Sequence, residues 1–71
     1  MKNEEKYLTY SDVNQARVSL KMMLVNYSWF ETVVIINKDG WSLEVHANGP
    51  DPRIKDIVPT VHKDVPVHVI K

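Results

Sequence analysis

Apolar side chains recur along this chain with two periods, and the change from one to the other marks its elements. In "SDVNQARVSLKMMLVNY", residues 11–27, a step of about 100° per residue puts Val13, Ala16, Leu20, Met23, Leu24 and Tyr27 on one stripe. The spacing predicts a helix over residues 12–27, with Ser11 or Asp12 as N-cap and Gln15 in capping-box position after Asp12. The same projection gathers Val18, Met22 and Val25 on nearly the opposite side, among Asn14, Gln15, Lys21 and Asn26. A surface helix has no need of a second apolar patch, so either another segment covers it or a protein partner does.

Beyond the helix the period falls to two. "ETVVIIN", residues 31–37, is β-branched and apolar on both faces, the pattern of a central strand between two layers. Asp39-Gly40 supplies a turn, and "WSLEVHAN" then alternates, with Trp41, Leu43, Val45 and Ala47 inward and Ser42, Glu44 and His46 outward. In "GPDPRIKDIVP", Asp51 as cap and Pro52 at the first helical position predict a short helix that Pro59 stops. Its apolar side, Ile54, Ile57, Val58 and Val61, is the internal candidate for covering Val18, Met22 and Val25. The final "DVPVHVIK" alternates again, with Val65, Val67 and Val69 inward and Pro66, His68 and Ile70 outward.

Proline has no N–H to give to a ladder, which places the last strand at a sheet edge and the doubly apolar first strand in the middle. The expected architecture is α+β: a two-layer sandwich of one long helix on a three-stranded sheet in the order 2-1-3, with a short helical turn before the last strand. Residues 1–10 read as a polar arm and residues 11–71 as one α-β-β-(α)-β domain.

Composition narrows the chemistry. A chain of 71 residues hides only about 60% of the surface that its unfolded form exposes, so a second copy or a partner would stabilise it. The absence of cysteine removes disulfides, iron–sulfur clusters, thiolate zinc sites and a cysteine nucleophile. Nine Lys and Arg balance nine Asp and Glu without clustering, so no footprint for nucleic acid stands out. No apolar run is long enough to span a membrane and "MKNEEKYLTY" has no signal-peptide core; a cytoplasmic protein is expected.

The three histidines, His46, His62 and His68, are the next candidates. With the first strand between them, His46 and His68 would stand about 9.5–10 Å apart, awkward for one zinc ion, and no H-x-x-x-H or H-E-x-x-H spacing supports a metal. No cofactor or metal is therefore expected. Ser42, Glu44 and His46 have the composition of a hydrolytic triad, but alternate residues on a strand lie about 6.6–6.8 Å apart and stand side by side rather than in relay. Only two glycines are present, with neither a nucleophile elbow nor a phosphate loop. Trp29, Phe30 and Trp41 are read as closing the end of the core.

What remains is surface. The outer sheet face should carry Val34 and Ile36, or Val33 and Ile35, with His46, His68 and Ile70, and no second helix to cover it. The expected function is a small, non-catalytic interaction or accessory module, working as a homodimer through that face or through the edge of strand two. Histidines at such an interface would take on charge in acid and weaken it. The alternatives are a ligand-binding or catalytic site formed between subunits by His46, His68 and Glu44, and an accessory protein that docks through Val18, Met22 and Val25.

Overall fold

The computed structural model describes residues 8–49 and 51–70. Along the chain run α1 (Tyr10–Leu24), β1 (Phe30–Asn37), β2 (Trp41–Ala47), α2 (Ile54–Ile57), β3 (Val61–His62) and β4 (Val65–Ile70). The α+β class stands, with one main helix and a sheet. Most of the polar arm expected over residues 1–10 lies outside the described residues; its end, Leu8, packs on the core, and Tyr10 already belongs to α1.

The start of α1 is set by a capping box one turn earlier than the spacing suggests. The Thr9 hydroxyl accepts from the Asp12 N–H at 3.1 Å, and the Thr9 N–H donates to the Asp12 carboxylate at 3.0 Å. Asp12 does the work expected of Gln15, and its charge suits the positive end of the helix. The helix also ends sooner, at Leu24, where the chain turns and the Tyr27 N–H donates to the Leu24 carbonyl at 3.0 Å. Val13, Ala16, Leu20 and Leu24 are buried as expected. Met23 and Tyr27 are not: Met23 lies about 60° round the helix from Leu20, past the covered arc, and Tyr27 has left the helix to stack on Trp29 at 5.1 Å.

Among the described residues the sheet has four strands in the order β1-β2-β4-β3, which corrects the three-stranded order 2-1-3. The chain's second strand, not its first, has neighbours on both sides. β1 pairs antiparallel with β2, and β2 pairs parallel with β4, with Leu43 beside Val67, Glu44 beside His68 and His46 beside Ile70. β1 is therefore an edge. Its apolar outer positions, read as a sign of a central strand, are half-exposed instead. Pro66 does not lie at the sheet's margin, since β3 lies outside it, but that ladder is confined to two pairs, Val61 with Pro66 and His62 with Val65. A missing N–H is tolerable there because little pairing follows.

The core lies between α1 and the inward side chains of the sheet, Val33, Leu43, Val45, Ala47, Val65 and Val67, and is closed by Ile54, Val58 and Trp29. Phe30 and Trp41 are half-buried against it, and Tyr10 meets Trp41 edge to face at 6.0 Å. α2 opens on a turn in which the Asp51 carboxylate accepts from the Arg53 N–H at 2.9 Å and from its guanidinium at 3.0 Å. Those bonds hold the Asp51 carboxyl below its usual range. Arg53 rather than Asp51 occupies the N-cap position.

β3 and β4 join through Lys63 and Asp64, with φ of 50° and 69°. Two successive positive angles are the signature of a type I′ turn, which fits the strand twist but suits Asn and Gly far better than lysine. Lys63→Asn should accordingly raise the stability by about 0.5–1 kcal/mol. Urea unfolding reads this as a higher midpoint, and an unchanged or lower one would contradict strain at Lys63. Among the described residues no helix is long and apolar enough to cross a membrane.

Candidate functional site

Two-residue periodicity and the observed register together define the outer face of the sheet. Val34, Glu44 and His68 form one row across β1, β2 and β4; Thr32, His46 and Ile70 form the next. Ile36 stands beside Ser42, and Val61 pairs with Pro66 at the far side. Val34, Ile36, His46, His68 and Ile70, singled out from the sequence, thus share one face. The buried stripe of α1 meets the opposite side of the sheet, and neither helix covers this one. Ile70 is 43% exposed and Val61, expected on the apolar side of a helix, is 56% exposed in β3.

Because β2 and β4 are neighbours, no strand separates His46 from His68, contrary to the sequence reading. They are diagonal on adjacent strands, and His68 lies beside Glu44 rather than beside His46. The His46 Nε2 atom is 3.5 Å from the Glu44 carboxylate, too long for a good hydrogen bond, and it is shielded from solvent without a hydrogen-bond partner among the described residues. Ser42 is no part of a relay, since it stands on the same strand two residues from Glu44. Among the described residues no group of three or more His, Cys, Asp or Glu side chains is placed to hold a metal ion.

His62 takes the other side of the sheet. Its Nε2 atom is 3.0 Å from the Ser19 hydroxyl on the flank of α1, a contact that pins β3 to the helix. The sequence offered no sign of this pair, because the two residues are 43 apart and a two-residue strand has no readable period. A hydroxyl beside an imidazole resembles a nucleophile with its base. Ser19 sits within a helix, however, where the nearby N–H groups are committed to the helical ladder and none is left for an oxyanion.

Burial first, and the Lys63 charge second, push the His62 pKa below its ordinary value of 6.5. A depressed value means that folding favours the neutral ring. Its stabilising contribution is present above about pH 6.5 and is lost as pH falls through the lowered value. Part of the drop in urea midpoint between about pH 7 and pH 5 should therefore vanish in His62→Gln. Equal pH slopes for the two proteins would exclude His62 as the cause.

Among the described residues the helix patch remains open. Val18, Met22 and Val25 are 44%, 69% and 50% exposed, and the segment expected to cover them does not: Ile54 and Val58 are in the core instead. Two open depressions mark the surface elsewhere. One of about 260 Å³ lies between Asp51, Pro52, Ile54, Lys55 and Val69, and one of about 310 Å³ between Leu8, Asp12, Gln15, Lys63 and Asp64. Neither is lined by a histidine or a serine. Compared with models of protein families, with curated proteins and with solved structures, the chain matches none.

Proposed function

We propose that the protein is a small interaction module without catalytic chemistry of its own, that it works as a homodimer, and that the outer sheet face is the surface on which it holds another protein. The observation that carries this reading is the face itself: Val34, Ile36, Val61, Pro66 and Ile70 lie on one side of a sheet whose helical layer, among the described residues, covers the other. A soluble protein leaves such a patch open where something binds it. In a domain of 71 residues, apolar area buried against another chain also supports the fold. Co-expression of tagged and untagged chains tests the homodimer: the untagged chain should be retained with the tagged one, and its loss on washing would contradict the proposal. Ile36→Glu and Ile70→Glu should release whatever other protein is held on the outer face while leaving the fold intact.

One observation favours a second reading, a ligand site completed by the second copy. The His46 Nε2 atom, beside Glu44 and without a hydrogen-bond partner among the described residues, is the kind of group that a ligand or a neighbouring chain would satisfy. Histidine ring signals in NMR separate the two readings. Under the first they stay indifferent to zinc and to small carboxylates; under the second those of His46 and His68 shift.

A further inference from the structure

The two edges of the sheet are built differently. On the β4 side it ends in β3, which is two residues long and is followed by Lys63, with Pro66 opposite. A short strand, a lysine and a proline are the devices by which a sheet stops further strands from pairing. On the other side it ends in β1, eight residues with the sequence FETVVIIN, free of proline and lysine. Its irregularity is confined to Phe30/Thr32; from Thr32 to Asn37 the ladder to β2 is regular. Among the described residues nothing pairs with its outer side. An edge so long, regular and apolar is a template for another strand.

We propose that this strand is a second copy of β1, paired antiparallel about a two-fold axis at Val34, so that two four-stranded sheets join into one. The proposal rests on the homodimer reading above and names its interface. Which residues meet follows from the faces. Val33 and Ile35 share the inner face with Val45 and Leu43, whereas Thr32, Val34 and Ile36 lie outward. If both helices are to lie on one side of the joined sheet, paired residues must share a face. An axis at Val34 sets Val34 against itself, Val33 against Ile35 and Thr32 against Ile36, which gives apolar contacts on both faces.

Charge selects the same partner and the same register. Glu31 lies at the start of β1 and Lys38 just past its end. Antiparallel pairing at Val34 brings each Glu31 to the Asn37–Lys38 end of the other strand. Moving the axis to Ile35 would set Glu31 against Asp39, and a parallel pairing would set it against another Glu31. The edge is thus complementary to itself in one arrangement. A two-fold contact uses the edge of both copies, so assembly stops at two, and the outer faces merge into one wider surface.

The chain has no cysteine, which makes a single introduced one specific. Opposed residues on antiparallel strands have Cα atoms about 4.5–5.5 Å apart, within the span of about 4.4–6.8 Å that a disulfide bridges. Under mild oxidation Val34→Cys should therefore double the 8.2 kDa mass on a non-reducing gel. Ile70→Cys, on the same face but two strands away from the axis, should not. Val34→Lys, which sets two lysines against each other, should give a monomer with an unchanged circular dichroism spectrum. If the wild type is a dimer but Val34→Cys fails to cross-link, or Ile70→Cys links as readily, the interface lies elsewhere and this proposal is overturned while the homodimer reading stands. A wild type that is monomeric at every concentration overturns both.

Discussion

Leu20→Ala should cost the domain about 2–5 kcal/mol and lower its urea midpoint sharply. Leu20 is fully buried at the centre of the α1 stripe, in one cluster with Leu24, Leu43, Val45 and Val65. Among the described residues α1 is the only long helix over this sheet, so no second layer is at hand to collapse onto the cavity. Domains of 71 residues hold about 4–11 kcal/mol in all, so the loss is a large fraction of the total. Met22→Ala, two positions along the same helix but 69% exposed, should stay within about 0.5 kcal/mol of the wild type. Urea unfolding followed by circular dichroism compares them directly. Similar midpoints for the two variants would mean that the buried stripe has been assigned to the wrong side.

Trp29→Ala is the second large loss, about 3–5 kcal/mol. Trp29 sits buried at the junction of α1 and β1, with its ring stacked on Tyr27, and its carbonyl accepts from the Asn48 N–H at 2.7 Å. The junction between helix and strand is thereby tied to the end of β2. Among the described residues the indole N–H has no hydrogen-bond partner. Trp29→Phe keeps an apolar ring and removes that unpaired donor, so it should cost much less than Trp29→Ala. If the phenylalanine variant were as unstable as the alanine one, the indole N–H would have to be bonded after all.

Alternation along β2 and β4 was enough to place Leu43, Val45, Val65 and Val67 inward and His46, His68 and Ile70 outward, because a strand's side chains must switch faces at each residue. Alternation says nothing of which strand lies beside which. Two secondary signs point to the order, and both mislead. A strand apolar on both faces suggests cover on both, yet β1 is an edge with a half-exposed outer face. Pro66 suggests that the last strand is an edge, yet a two-residue strand, too short to show any period, sits beyond it. The error in order carried into the chemistry: the faces of His46 and His68 were legible, but the strand imagined between them was not there. Thr9 was missed as a cap for a different reason. Thr9, Ser11 and Asp12 all lie within one turn at the start of the helix, and local pattern cannot choose among competing caps when packing decides where the first turn starts.

The central claim is that this chain completes itself with a second copy. Molar mass in solution, by size exclusion with light scattering over a wide concentration range, tests it most directly. A species of twice 8.2 kDa that persists on dilution and falls to 8.2 kDa in Val34→Lys is the expected result. A mass of 8.2 kDa at every concentration would contradict the claim.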